Sequence, residues 1–305
     1  MFKHHALVAS LVAGLVLLAA GFEANAQSPG PFEYRAPGDG FFFGLGGGYN
    51  SVNFGDQDLY VQGVSNVYQG PTQVANGFAS GTNNVNMPAQ STLAPDVQIG
   101  YFQHFADSRW LWGAKFNYSY LGSTAAASSF LVPQAGTFTM GATVTPFTGN
   151  VPIGSFETTV NHQMMWLAFL GRSFDAFTVY LGAGPSLSQT QTRYSNIAGF
   201  ALLSGVPSLI APRDNYGTSA WVAGGAVSLG ATYFFTPNWF LDFSYTYDAT
   251  LSQTASFSGP FTNTSQGYTT VGTLSGNSSG RLTTQSLNVS INVLFDANRG
   301  AGWIR

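Results

Sequence analysis

Three ionisable side chains sit among apolar neighbours: Asp96 in "APDVQIGYFQHF", Lys115 in "RWLWGAKFNYSYL" and Asp242 in "NWFLDFSYTY". A charge removed from water must be paired, so a lysine and two carboxylates sharing one apolar surrounding would form a network. Such a network either cross-links the elements that carry it or serves as a gate or ion path. Asn117 and Ser244, each two positions from one of these charges, would belong to the same set. Acid–base chemistry would fall to His104 and His162, the histidines that follow the N-terminal segment. Histidine acting with a serine nucleophile needs that serine close by. Neither histidine has one two positions on: His104 is followed by Phe105 and Ala106, His162 by Gln163 and Met164. Asp56 and Asp58 in "GDQDLY" could hold a cation, but a calcium loop needs more ligands and a distal glutamate. "GLGGGY" (44–49) lacks the lysine and the helix of a phosphate cradle. There is no cysteine, hence no disulfide or thiolate chemistry. No pattern calls for a metal or cofactor, and none assigns a catalytic residue.

The elements that carry these residues alternate with period two, the signature of strands. Phe41, Phe43, Leu45 and Tyr49 oppose Gly44, Gly46, Gly48 and Asn50; Val97, Ile99 and Tyr101 oppose Asp96, Gln98 and Gly100. Trp110, Trp112, Phe116, Tyr118 and Tyr120 oppose Gly113, Lys115, Asn117 and Ser119. Val179, Leu181, Ala183 and Leu187 oppose Tyr180, Gly182, Gly184 and Ser186. "ATYFFTPNWFLDFSYTY" (231–247) and "SLNVSINVLF" (286–295) repeat the pattern, while "MMWLAFL" (164–170) is apolar on both parities. For that stretch the reading sends Met164, Trp166, Ala168 and Leu170 outward. Eight such segments are expected, each long enough to cross a bilayer at a tilt. Short turns are expected at 106–108, 173–176 and 236–238. Long polar loops are expected at about 55–93, 122–157, 194–217 and 249–285, although "GTFTMGATVTPF" (136–147) has enough alternation for the segments 122–157 and 249–285 to extend their hairpins above the membrane instead.

Bulk composition separates a membrane barrel from a soluble one. Only 8% of residues are charged, against roughly 25% in ordinary soluble domains. Aromatics reach 15%, yet mean hydropathy is only +0.09, too low for a bundle of apolar helices. A soluble barrel would need a charged outer face. Here the polar parity offers mostly Gly, Ser, Thr and Asn, a poor coat and a good tight lining, so the greasy parity faces lipid. Ring residues cluster at strand ends: Phe43, Trp110 and Trp239 near the short turns, Tyr118, Tyr120, Tyr245 and Tyr247 near the long loops. These two groups are expected to form the interfacial belts. The net charge of −3 excludes electrostatic nucleic-acid binding. Lys3, the apolar run 6–20 and "ANA" (24–26) read as a cleaved secretory signal. The expected layout is a signal at 1–26, a periplasmic lead-in at 27–39, a barrel at 40–295 and a tail at 296–305.

"FFFGLGGGY" after the lead-in, "LGATYFFTPNWFLDFSYTY" as penultimate hairpin and "LNVSINVLF" as final strand carry a resemblance. The chain resembles the small outer-membrane β-barrels of Gram-negative bacteria, such as the membrane domain of outer membrane protein A and the porin-like surface antigens of alphaproteobacteria. The resemblance implies an eight-stranded antiparallel up-and-down transmembrane β-barrel with long extracellular loops and short periplasmic turns. It also implies insertion by the barrel-assembly machinery, with Phe295 as the terminal aromatic that the machinery reads. Ten residues, "DANRGAGWIR", follow Phe295 and depart from that pattern. The expected role is structural and interfacial: anchoring in the outer membrane, contact with its lipids and lipopolysaccharide, and presentation of the loops to an extracellular partner. The alternatives are a narrow porin or small-molecule channel, and a lipid A-modifying enzyme.

Overall fold

The computed structural model describes residues 38–197, 200–203, 206–209 and 214–296. The signal segment 1–26, the lead-in up to residue 37 and the tail past residue 296 lie outside the described residues. Among the described residues there are fourteen strands and no helix. They are β1 (Gly40–Asn53), β2 (Asp56–Gln69), β3 (Thr72–Asn86), β4 (Gln90–His104), β5 (Trp110–Met140), β6 (Thr143–Phe174) and β7 (Phe177–Ile197). The chain continues through β8 (Phe200–Leu203), β9 (Val206–Leu209), β10 (Asp214–Thr236), β11 (Trp239–Thr250), β12 (Gln253–Ser265), β13 (Tyr268–Gly280) and β14 (Thr283–Asp296).

Eight of these close an antiparallel ring: β1, β4, β5, β6, β7, β10, β11 and β14, with β14 paired back onto β1. Following the ladders from Gly44 through Gln98, Asn117, Met165 and Ser186 reaches β10 at Gly224. The other way round, through Asn292 and Phe240, the path meets β10 at Phe234. That stagger tilts the strands, and a tilted ring of eight has an interior that side chains can fill. The turns between β4 and β5, β6 and β7, and β10 and β11 are short, as expected. Asp107 and Asp175 adopt positive φ in the first two, a conformation short polar side chains tolerate.

Of the opposite connections, 122–157 and 249–285 do extend the hairpins, the possibility their alternation left open, and 55–93 is strand where a loop was expected. They are mostly strand, and they build a second tier on the first. β12, β13, β2, β3 and the far half of β5 pair in that order, and β6, β7 and β10 continue the wall. The physical reason is that one polar face was read as a whole polar segment. Gly, Ser, Thr and Asn make up much of the outside of this tier, interrupted by exposed Val64, Phe78, Leu131, Met140 and Val144, while Leu59, Val61, Val132, Val151, Phe257 and Phe261 face inward and are buried. No ladder joins β10 to β12 among the described residues, and Tyr216 stacked on Phe257 (4.8 Å between centroids) fills the seam. Pro260 on β12, and Pro146 and Pro152 on the far part of β6, lie where a strand has a ladder on one side only. A residue without an N–H discourages further strand addition at such edges.

The stretch 164–170 keeps the expected parity, with Trp166, Ala168 and Leu170 exposed outward, and it is apolar on both faces because Met165 and Leu167 pack with Ala226 inside the ring; the irregularity of β6 comes just before it. The ladders from β6 to β5 and β7 shift register between Tyr120 and Ser123 and between Val160 and Gln163. Below these bulges Gln163, Met165 and Leu167 are buried; above them Phe156, Thr158 and Val160 are. The alternation changes phase at Asn161–His162, as a bulge requires.

Candidate functional site

The interior of the ring has three layers. Nearest the short turns, Phe42, Phe102, Leu111, Phe234, Phe240 and Leu294 form an apolar plug. Phe42 and Phe240 meet edge to face at 5.5 Å, and Phe234 lies 4.7 Å from Phe240. Above the plug comes a polar layer. The ammonium of Lys115 donates to Tyr180 Oη at 2.7 Å and to Asp242 Oδ2 at 3.1 Å, and the Tyr180 hydroxyl donates to Asp242 Oδ1 at 2.8 Å. All three are buried, so the ion pair is closed on itself. Gly230 makes this possible: a Cβ there would strike the Tyr180 ring. A cavity of about 30 Å3 separates plug and ion pair, room enough for a bound water.

Asp96 stands apart from that pair. It accepts from Ser119 Oγ at 2.9 Å. Asn117 donates to Gln98 at 3.3 Å, and Gln98 donates to Ser290 and Asn292 at 2.7 and 2.6 Å, linking β5, β4 and β14. Ser244 is buried on the same inner face of β11 as Asp242. The structure therefore splits the five interior residues of the sequence reading. Lys115 and Asp242 meet each other, Asp96 and Asn117 lie together in the cluster with Ser119 and Gln98, and Ser244 lines the wall. Tyr180, Gln98, Ser290 and Asn292 are network members that the type of residue did not announce. Period-two parity was the signal that placed Tyr180 and Gln98 inside.

The third layer lies in the second tier and is largely apolar, with buried Gln57, Thr158, Thr192 and Ser278 along one part of it. Phe54, Leu59, Leu121, Ile153, Phe156, Tyr194 and Ile197 are fully buried there. Tyr194 donates to Ser278 Oγ at 2.7 Å, and burial pushes its hydroxyl up to about 12.

The outer face of the ring carries exposed Leu45, Ile99, Leu181, Val227, Val289 and Ile291. Around the short-turn rim stand exposed Phe43, Trp110 and Trp239. Tyr120 and Tyr247 are exposed and Tyr118 and Tyr245 half-buried at the opposite rim. A band of exposed aliphatic groups between two aromatic girdles is a lipid-facing surface. Phe295 is exposed at the short-turn end of β14, opposite Phe41 of β1.

His104 has partners that lie far away in sequence. Its Nδ1 is 2.6 Å from Asp39 Oδ1, which also accepts from the His104 amide at 2.9 Å. Its Nε2 is 3.0 Å from Ser173 Oγ, which lies 2.9 Å from Thr178 Oγ1. The order carboxylate, imidazole, hydroxyl is that of a nucleophilic triad. Ser173 is buried and its amide donates to the Arg109 carbonyl, so these contacts tie the residue before β1 to the ring's rim. Asp56 and Asp58 accept from Asn86 and Asn84 across the β2–β3 ladder, and no cluster of three metal-ligating groups occurs among the described residues.

No protein-family model matches the chain, and no curated protein matches it. Several solved structures are similar to it. The outer membrane protein OprG from Pseudomonas aeruginosa is 13% identical, over 86% of this chain and 99% of that one, with a TM-score of 0.39. Neisserial surface protein A is 14% identical, over 79% and 97%, at 0.32. The attachment invasion locus protein Ail of Yersinia pestis, solved with the heparin analogue sucrose octasulfate, is 12% identical, over 77% and 98%, at 0.26. All three scores fall below 0.5, so the transmembrane reading stands on the chain's own closed ring, lipid-facing belt and polar lining. Those features are those of an outer-membrane β-barrel.

Proposed function

We propose that this protein is a sealed, non-enzymatic anchor in the outer membrane of a Gram-negative bacterium, and that its second tier is the working surface, held clear of the lipid. The observation that carries the reading is the double closure of the interior. The Phe42–Phe102–Phe234–Phe240 plug blocks one end and the Phe54–Phe156–Tyr194 core fills the other, with a bonded ion pair between them. The aromatic plug interrupts any polar path at the short-turn end of the ring. The Lys115–Asp242–Tyr180 set then acts as a cross-link between β5, β11 and β7 rather than a gate. Outer-membrane lipids meet the belt, and Phe295 fits handling by the barrel-assembly machinery. The test is conductance of the refolded full chain in planar bilayers. No stable channel is expected; steady nanosiemens conductance would replace the anchor by a porin.

The seam between β10 and β12 favours a second reading, passage of small apolar molecules into the second tier's core. Its walls are Tyr216 and Phe257, and an edge without a ladder opens more readily than one with it. Exclusion of a hydrophobic fluorophore from that core, measured by quenching in the wild type, supports the anchor; saturable uptake supports passage.

A further inference from the structure

The two register shifts of β6 converge on one outward-facing histidine. Gly122 on β5, at φ 55°, and the extra residue at Asn161–His162 set His162 in the long-loop girdle, where it faces Tyr120 across the ladder. Bulges re-aim side chains, and here the histidine comes to lie among rings. Its imidazole stacks on Tyr118 (5.9 Å, 26°) and on Trp221 of β10 (6.2 Å, 29°), and Tyr120 meets it edge-on at 5.3 Å. Nδ1 lies 2.8 Å from the Tyr118 hydroxyl, and among the described residues no hydrogen bond reaches Nε2. Trp221 and Tyr120 are 46% and 47% exposed, so the platform is open. Gln189, the register partner of Trp221, lies on the same outer face.

We propose that this platform binds the saccharide headgroup of an outer-leaflet glycolipid. The platform lies at the rim opposite the short turns, the height at which lipid headgroups meet a barrel. The exposed rings of Trp221 and Tyr120 offer apolar surface to the C–H side of a pyranose, His162 and Tyr118 hold them in place by stacking, and Nε2 of His162 and the amide of Gln189 offer hydrogen bonds to its hydroxyls. The cluster contains no lysine, arginine or carboxylate. A phosphate would need the charge-assisted donors that are missing here, which favours the sugar ring over the phosphate as the recognised group. An ordinary girdle needs neither a histidine nor a double bulge to hold one. The inference rests on the membrane placement proposed above.

The experiment is native mass spectrometry of the full chain in mild detergent, titrated with an uncharged long-chain alkyl glycoside, with a rough lipopolysaccharide and with phosphatidylglycerol. The wild type is expected to retain both sugar lipids and to release phosphatidylglycerol. His162→Phe, which keeps a ring and removes Nε2, and Trp221→Ala are each expected to weaken retention roughly three- to tenfold. Trp110→Ala, in the opposite girdle, is expected to leave it unchanged. The heat-dependent gel shift of each variant confirms that the barrel has formed. Equal retention by all variants, or retention of phosphatidylglycerol as strong as of the glycoside, overturns the proposal. Loss of the sugar lipids by a wild type that still inserts and does not conduct removes this inference alone and leaves the anchor reading standing.

Discussion

The two tiers of this protein use one alternation in opposite senses. In the membrane tier the apolar parity points out and the inner face carries Lys115, Asp242, Gln98 and Asn292; in the second tier Phe156, Leu59 and Val132 point in. Strands β5 and β6 pass through both tiers without a break, so the inversion is written along single strands. What changes is the solvent. Lipid rewards apolar groups outside and tolerates a polar lining, whereas water rewards the reverse arrangement. The bulges at Tyr120–Ser123 and Val160–Gln163 lie at this change, where β6 also exchanges the parity it turns inward. A strand crossing from lipid to water can keep its rhythm only by altering composition or by slipping phase, and β6 does both.

Substitutions can break or sharpen this contrast, beginning with the largest effects. Asp242→Ala leaves the Lys115 ammonium buried without its carboxylate and is expected to destabilise the membrane tier by about 3–5 kcal/mol. The double replacement Lys115→Met with Asp242→Leu is expected to recover most of that loss, read from unfolding in urea. Phe156→Ala is expected to cost about 3–5 kcal/mol in the second tier. Its mark is local: faster hydrogen exchange in β5–β7 beyond the bulges, with an unaltered gel shift for the membrane ring. Loss of the gel shift would mean that the tiers unfold as one unit. Val289→Arg places a charge on the lipid face and is expected to cost roughly 2–4 kcal/mol near the midplane. Thr82→Arg, on the exposed face of β3, is expected to change stability by no more than about 0.5 kcal/mol. A comparable cost at both positions would mean that the second tier also touches lipid.

The ring was legible in the sequence because its two faces differ in kind. Leu45 against Gly44, or Leu241 against Asp242, is a contrast that a parity reading detects. The second tier was less legible because its two faces differ less: Val61, Ser65 and Val67 alternate with Gln62, Val64 and Asn66, and glycines and serines dilute the pattern. No charged residue occurs from 116 to 156, so water-facing strands gave no charge signal either. The Lys115–Asp242 pair was half legible. Parity placed both residues inside, but the choice of Asp242 over Asp96 depends on ring stagger and on the room left by Gly230. The Asp39–His104–Ser173 contacts were not legible, since their partners come from three strand ends that only the closed ring brings together.

The order of pairing around the ring also constrains how the protein can be made. β1 finds its partner in β14, and β2 finds one in β13, so both tiers are sealed by contacts between the first and last parts of the chain. Hairpins such as β5–β6 and β10–β11 can zip locally as they emerge, but neither wall can shut until the final strands arrive. Until then the apolar lining of β2 and of far β5 and β6 stands uncovered on the outer side of the membrane, with little charge to keep copies apart. Closure of the two walls is thus a late event in folding. A chain stalled before β13 would carry the aggregation hazard of its open core, so the speed of the last two hairpins governs the yield of folded protein.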